Sequence, residues 1–217
     1  QKKQKLLVIL GGSQYLTYAN YLGYEDLEQT INLTCIDRKF DVEVEKENDL
    51  NDNNYINHLL LHQPSILFNF SVLGFQQYYA SEKEIRFFDD LYFDYFRLGD
   101  LQKNIEKAEP ILRNTDILSV DLGAFRFSEF SSSNHSCPNG FFANEMCQLM
   151  KYAGISDKLS CVGIYNQNTG KIRDVDSEVI AQMLYFLTVG FAERTKDFPL
   201  GSKKDHYKYS IFHDELK

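Results

Sequence analysis

The sequence predicts an α/β domain of three layers, in which helices cover both faces of a doubly wound, mainly parallel β-sheet. Short apolar runs alternate with helical patterns along almost the whole chain, and this alternation is typical of β–α–β units. The chain has 217 residues, which is enough for one such domain with a sizeable core. No internal repeat, linker or shift in composition divides the chain, so we predict a single domain over residues 1–217.

The composition is that of a globular protein with an acidic surface. Hydrophobic residues make up 43% of the chain and aromatic residues 14%, and the net charge is -8. An acidic chain without a basic stripe is a poor candidate for nucleic acid or an anionic membrane. No apolar run approaches the length of a membrane span. We therefore predict that neither nucleic acid nor a membrane is a partner.

The four cysteines suggest free thiols in a reducing compartment. No pair has the C-x-x-C spacing, and Cys35 and Cys161 lie inside apolar strands, where a buried free thiol is the expected state. Disulfides are rare in the cytosol. We therefore predict a cytoplasmic protein.

Six strands are predicted, at residues 5–10, 31–36, 65–73, 92–98, 116–125 and 159–165. Each is an apolar run of strand length that is followed by glycine or by polar residues. Continuous apolar runs indicate strands that are buried on both faces, and we expect this of the first strand as well.

Six helices are predicted, at residues 15–27, 55–62, 82–91, 100–113, 141–153 and 176–194. Ser13 is expected to cap the first helix, and Ser81 with Glu84 resembles a capping box before the third. Pro110 is expected to kink the fourth helix and Gly154 to end the fifth. The broad apolar stripe of the last helix is ordinary core material. The acidic, asparagine-rich stretch at residues 42–54 is interpreted as a solvated loop.

Polar clusters follow four of the predicted strands. They are residues 11–14, 37–41, 121–123 and 166–168. The carboxyl ends of parallel neighbours meet at one edge of a sheet, and open α/β sheets bind their ligands there. We therefore expect the four clusters to form one site.

Asp37, Asp41 and Asp121 would be three carboxylates at adjacent strand ends. Without a positive partner they would repel one another and raise each other's pKa. Either a divalent cation or a nearby lysine or arginine must then lie among them. From spacing alone, the alternative that they cap helices or face solvent would be favoured.

The same clusters carry a resemblance to a known family. From Leu7 to about Phe198 the chain resembles the ureohydrolases, which include arginase, agmatinase and formimidoylglutamase. Leu10-Gly-Gly-Ser-Gln14 is similar to their G-G-D-H motif, Asp37-Arg-Lys-Phe-Asp41 to D-A-H-x-D, and Ser119-Val-Asp-Leu-Gly123 to S-x-D-x-D, while Asn166-Gln-Asn168 falls where they have E-x-N-P. The formimidoylglutamase-like branch is the most similar, as judged from residues 11–20 and 138–141.

The resemblance implies an arginase-like fold, here without its N-terminal portion, that often assembles into homo-oligomers. It also implies two manganese ions with a bridging hydroxide that attacks a guanidine or imine carbon. Of the six ligand positions, Asp37, Asp41 and Asp121 keep a carboxylate, whereas Gln14 and Lys39 stand in place of histidines and Gly123 in place of an aspartate. Asn166 replaces a glutamate near the substrate.

These replacements predict that the two-metal site is lost. Glutamine is a weak neutral ligand, glycine has no side chain, and a protonated lysine has no lone pair to donate. We expect the Lys39 ammonium to lie among the three carboxylates in place of the metal ions. Arg38 is the fallback partner, although its side chain should point the other way on an extended segment. If a divalent cation is retained, Asp37, Asp41 and Asp121 are its expected ligands.

Three functions remain open at this point. The first is a non-catalytic binding or scaffold protein without a cofactor. The second is a hydrolase of linear amidines such as formiminoglutamate, with manganese or one divalent cation. The third is a sensor for a small guanidino, imino or amino-acid ligand, bound by the loop at residues 131–140. Asn134, His135 and Asn139 are the polar candidates in that loop, which could equally be a solvated segment without a ligand.

Overall fold

The structure is a computed structural model that describes residues 5–27, 30–43 and 49–195. Its strands are β1 (Leu7–Leu10), β2 (Ile31–Ile36), β3 (Leu67–Phe75), β4 (Asp94–Arg97), β5 (Ile117–Asp121) and β6 (Cys161–Tyr165). Its helices are α1 (Leu16–Leu22), α2 (Tyr55–Leu61), α3 (Glu82–Asp90), α4 (Leu98–Lys103), α5 (Glu109–Arg113), α6 (Ala143–Ile155) and α7 (Asp174–Ala192). Part of the predicted loop at residues 42–54 and the end of the resemblance at Phe198 lie outside the described residues.

The six strands form one parallel sheet in the order β1-β6-β5-β2-β3-β4. From β2 the chain winds outward through β3 to β4, and from β5 it winds in the opposite direction to β6. The strand order therefore reverses between β2 and β5, and in open α/β sheets this switch point is where ligands bind. The predicted doubly wound α/β fold is confirmed.

Helices cover both faces of the sheet, so the molecule has three layers. On one face the core includes Leu101 of α4, Leu112 of α5, Met150 of α6 and Met183 of α7. On the other face the core includes residues of the first three helices: Tyr21, Ile56, Leu59 and Phe88. Burial of apolar side chains on both faces stabilises the sheet and fixes the positions of its strand ends.

Strand β1 differs from the prediction that it is buried. Among the described residues it pairs only with β6, at the edge of the sheet, and Leu7 and Leu10 are 57% and 53% exposed. In contrast, every residue of β5 and β6 is buried. A local apolar run does not reveal whether a strand has one neighbour or two, and this is why the prediction failed.

Three helix predictions are wrong in detail. The N-cap of α1 is Tyr15, without a side-chain cap, and not Ser13. The predicted helix at residues 100–113 is interrupted at Asn104, so that Pro110 lies in the first turn of α5, where a proline is tolerated. Gly154 lies inside α6 and not after its end. A glycine is present at this position because the backbone of α7 approaches too closely for a side chain. The capping box of Ser81 and Glu84 is confirmed.

Helix α7 is long and apolar enough, by length and composition, to cross a membrane, with a mean hydropathy of 1.2. The expectation that no apolar run approaches that length was therefore wrong. Val179, Met183 and Leu187 of this helix are nevertheless buried in the core that it shares with α6. A core helix of a globular domain has these properties too.

Candidate active-site cavity

The polar clusters converge at the carboxyl ends of four adjacent strands. Gln14 follows β1, Asp37 follows β2, Asp121 ends β5 and Asn166 follows β6. All four are at least 96% buried. Gln14, Asp121 and Asn166 line, together with Asp41, a small cavity of ≈ 10 Å³, which is space for about one water molecule.

Hydrogen bonds fix Gln14 and Asn166 against each other. The Gln14 backbone N–H donates to Asn166 Oδ1 at 3.2 Å, and the Asn166 N–H donates to the Gly12 carbonyl at 2.8 Å. Gly12 has a φ of 82°, which favours glycine. The Gln14 side chain donates through Nε2 to Ser119 Oγ at 3.3 Å, so its amide nitrogen already has a partner on β5.

A tight turn at the end of β2 carries Asp37 and Asp41. The Asp37 N–H extends the sheet to the Leu73 carbonyl at 3.1 Å, and Asp37 Oδ1 then accepts the Lys39 N–H at 3.0 Å. Asp41 has a φ of 51°, a left-handed conformation that aspartate tolerates better than most residues. The turn brings the two carboxyl groups within hydrogen-bonding reach of each other, and Asp41 lines the cavity.

Burial is the main influence on these carboxyl groups. It raises the pKa of Asp37 and, together with the Asp37 charge, holds the pKa of Asp41 well above its ordinary value. Burial and the same negative charge raise the pKa of Asp121 to about 8, against the opposing effect of the Gly123 N–H. Among the described residues, Asp37 Oδ2 is buried without a donor. A proton shared between Asp37 and Asp41 would supply that donor.

The positions of the two cations agree with the prediction only in part. Lys39 lines the cavity and its charge opposes the raised pKa of Asp41, but its Nζ donates to Asn53 Oδ1 at 3.3 Å, and in the described part of the chain no ion pair within 4.0 Å joins it to a carboxylate. Arg38 does not point away: its side chain lines the same cavity, and its charge opposes the rise in the pKa of Asp37 and Asp121 that burial causes. The guanidinium also lies 4.9 Å from the Tyr79 ring centroid.

The three candidates in the loop at residues 131–140 are not brought together. His135 lines the cavity, and its pKa is lowered by burial and by the Arg38 charge. Asn134 donates its backbone N–H to the Asn166 carbonyl at 2.9 Å, while its side chain is exposed. Asn139 lines a different cavity, at the ends of β3 and β4. Only His135 is therefore placed to contact a molecule bound beside Asp121.

Sequence reasoning missed two residues of the cavity wall. Asp52 and Asn53 line it, although they belong to a stretch that was interpreted as a solvated loop. Asp52 Oδ1 accepts the Tyr15 N–H at 2.9 Å, which ties this stretch to the start of α1. The only sequence signal was the density of aspartate and asparagine before α2, and such density is equally typical of exposed turns.

The donors around the cavity do not fit a pair of manganese ions. Among residues 5–27, 30–43 and 49–195, no three His, Cys, Asp or Glu side chains are arranged so that they could hold a metal ion together. Gly123 offers no ligand, and a Cβ at that position would lie 3.0 Å from His135. Its N–H donates to Asp121 Oδ1 at 2.7 Å.

Comparison with solved structures identifies the fold. The chain superposes on formimidoylglutamase from Bacillus subtilis with a TM-score of 0.76 and 19% identity, covering 88% of this chain and 62% of that one. For Trypanosoma cruzi formiminoglutamase with Mn²⁺ the TM-score is 0.77 and the identity 16%, with 86% and 65% covered. For Entamoeba histolytica arginase in complex with L-ornithine the TM-score is 0.69 and the identity 15%, and the match covers 84% of this chain and 69% of that one.

These likenesses confirm the arginase-like fold that the four motifs predicted. At 15–19% identity they carry the fold alone. The chain spans less than two thirds of the length of the two formimidoylglutamase structures. No model of a protein family and no curated protein sequence matches the chain.

Proposed function

Since the chain has the fold of formimidoylglutamases and arginase, we propose that it has lost the two-manganese centre and acts as a non-catalytic binding or scaffold protein. The chemistry of three positions carries this proposal. Gln14, Lys39 and Gly123 stand where the resemblance implies two histidines and an aspartate. A weak neutral amide, an ammonium without a lone pair and a missing side chain cannot replace two histidines and an aspartate as ligands of two metal ions and their bridging hydroxide.

The remaining carboxylates have other means of compensation. Buried carboxylates are destabilising unless they are paired or protonated. A shared proton between Asp37 and Asp41, together with the Arg38 charge beside Asp37 and Asp121, reduces the negative charge that metal ions would otherwise neutralise. The fold can therefore keep three of the implied ligands without keeping their metals.

Metal analysis and an amidine assay test the proposal. The purified chain is dialysed against manganese, its metal content is measured, and release of urea, ammonia or formamide is followed with arginine, agmatine and formiminoglutamate. We expect less than about one tenth of a manganese ion per chain and no turnover. Stoichiometric manganese or enzymatic turnover would overturn the proposal. A Gln14→His, Lys39→His double variant, which needs no extra space at Gly123, should bind more manganese than the wild type.

The alternative function is hydrolysis of linear amidines with one divalent cation on Asp37, Asp41 and Asp121. The observation in its favour is the buried Asp37 Oδ2, which has no donor among the described residues, although the three described carboxylates are not arranged as a metal-binding group. This alternative expects about one metal ion per chain, and turnover that is lost in Asp37→Asn. The experiment above therefore decides between the two functions.

Ligand, assembly and location complete the proposal. We propose that a small guanidino, imino or amino-acid compound is the ligand, since His135, neutral at pH 7 through its lowered pKa, can accept a hydrogen bond from an N–H group. A ligand that binds the folded state raises the melting temperature by mass action, so a thermal-shift screen tests this point.

We also propose that the chain forms a homo-oligomer, which sedimentation would test. We propose the cytoplasm as its location, because the four buried free cysteines would stay reduced there.

A further inference from the structure

A second cavity lies at the same edge of the sheet, where β3 and β4 end. The first cavity, which is lined by Asp41, Asp52 and Asp121 among others, is called the acidic cavity. The second cavity has a volume of ≈ 380 Å³ and shares no lining residue with it. Arg97, Lys103 and Arg126 line it, opposed by one carboxylate, Asp100. We call it the basic cleft. In a chain of net charge -8, three cations around one cleft stand out from the surface as a whole.

These cations are not neutralised by neighbouring side chains. In the part of the chain that the structure describes, no ion pair within 4.0 Å involves Arg97, Lys103 or Arg126. Cations elsewhere do have acidic partners, as Arg86 has in Glu82 at 3.5 Å. The basic cleft therefore presents an uncompensated positive potential, which attracts anions.

Arg126 is held in place but is incompletely paired. Its guanidinium lies 4.2 Å from the centroid of the Phe142 ring, so one face of the group is stacked. Its Nε is buried and has no hydrogen-bond partner among the described residues. A guanidinium that is held by stacking, and that has no carboxylate within 4.0 Å among the described residues, can give two parallel hydrogen bonds to an oxyanion.

The wall of the basic cleft is fixed by amide side chains. Gln76 is 4% exposed and donates through Nε2 to the Asn139 carbonyl at 3.0 Å. Gln102 donates through Nε2 to the Gly140 carbonyl at 3.3 Å. At the rim Tyr78, which is 63% exposed, offers an aromatic surface. Polar groups that are fixed in place beside an aromatic surface are features of small-molecule sites.

We propose that the basic cleft binds a small organic anion whose carboxylate or phosphate group lies between Arg97 and Arg126. The volume is within the range of small-ligand sites, and the basic cleft brings the three cations together outside the carboxyl ends of β3 and β4. Because no lining residue is shared with the acidic cavity, the proposal holds whether or not metal binds there.

Calorimetric titration of the full chain with sodium phosphate, and separately with glutarate, tests the proposal at low salt. We expect saturable one-to-one binding of at least one probe, with a Kd of about 1 mM or tighter. Binding of phosphate alone identifies a phosphate-bearing ligand, and binding of glutarate alone identifies a carboxylate. Absence of saturable binding by both probes overturns the proposal.

Two variants locate the binding. Arg97 is exposed, so Arg97→Gln leaves the core intact, and it should weaken binding about tenfold through loss of a charge-assisted hydrogen bond. Arg86→Gln on α3 removes an equal charge outside the basic cleft and should leave the Kd unchanged. Equal effects of the two changes would mean non-specific attraction and would overturn the proposal. Arg126→Lys keeps the charge but not the planar fork, and should also weaken binding.

Discussion

Asp121 shows at the scale of one residue how burial alters the chemistry of a carboxyl group. It is 4% exposed and close to the charge of Asp37, and together these influences raise its pKa to about 8. The ordinary pKa is 3.8, so the folded state keeps a proton that the unfolded chain releases at neutral pH. The proton that folding retains makes stability depend on pH.

The first prediction is that metal-free protein loses stability as the pH rises from about 4 to about 8. Its sign follows from the raised pKa of Asp121, because the unfolded state binds fewer protons throughout this range. Asp121→Asn cannot titrate, so its melting temperature should fall less over the range and exceed that of the wild type by about 2 °C or more at pH 7.5. Asp90→Asn, at an exposed position on α3, should keep the wild-type slope. Equal slopes for Asp121→Asn and wild type, measured by calorimetry after EDTA treatment, would contradict the prediction.

The positions of Arg38 and Lys39 show where sequence reasoning ended at this scale. The three aspartates could be placed at one edge because strand ends are readable from apolar runs. The expectation that Arg38 points away assumed the alternation of an extended strand. The chain leaves the strand at Asp37 and turns, with a left-handed Asp41, so alternation no longer applies.

At the scale of elements, one buried carboxylate fastens a loop of the acidic cavity to α7. Asp176 is 0% exposed and accepts hydrogen bonds from Ser131 N at 3.3 Å and from Arg173 Nη2 at 2.8 Å. Burial alone would raise its pKa, but the bonds from Arg173, Ser132 and Ser131 outweigh it and lower the pKa to about 2. The same loop carries His135 into the cavity.

The second prediction concerns this fastening. Asp176→Asn replaces an ionised acceptor by a neutral amide and should lower the free energy of unfolding by about 1–3 kcal/mol at pH 7. Because the folded pKa is depressed, the wild-type advantage should be present above about pH 4 and should shrink as the pH falls towards 2. Hydrogen exchange at the Asn134 N–H should also accelerate. Asp174→Asn, an exposed change in the first turn of the same helix, is the control, and an equal loss there would refute the assigned role.

The third prediction concerns the contact between α6 and α7. A Cβ on Gly190 would lie 2.2 Å from the Lys151 carbonyl, and a Cβ on Gly154 would lie 2.3 Å from the Leu187 carbonyl. The two helices can approach this closely only without side chains at both positions. Gly190→Ala should therefore destabilise the protein by about 1–3 kcal/mol or more in urea unfolding. Gly99→Ala, where a Cβ meets nothing within 4 Å, should be neutral or slightly stabilising. If Gly190→Ala is as stable as Gly99→Ala, the close approach is not real.

At the scale of the whole molecule, the alternation of apolar runs and helical patterns was enough to predict a parallel sheet between two helix layers. The strand order was not readable, because the sequence does not state which strands are neighbours. The same lack of long-range information hid Gly154 as a site of helix contact and β1 as an edge strand. The basic cleft was hidden for a related reason. Arg97 and Arg126 are separated by 29 positions along the chain, and the fold makes both of them line the same cleft.

The fourth prediction follows from the two edges of the sheet. Strand β4 carries Asp94 and Arg97 at one edge, whereas β1 at the other edge is wholly apolar, and among the described residues no strand pairs with its outer side. An apolar edge strand with exposed side chains is a predicted site of aggregation, and charged residues, especially lysine, protect such edges. Leu7 is 57% exposed, so Leu7→Lys should cost little stability and should slow concentration-dependent aggregation, measured by light scattering. Leu61→Lys removes an even more exposed leucine, at 72%, from the end of α2 and should have no such effect, because a helix offers no unpaired strand edge. If both variants slow aggregation equally, general hydrophobicity and not the edge of β1 is responsible.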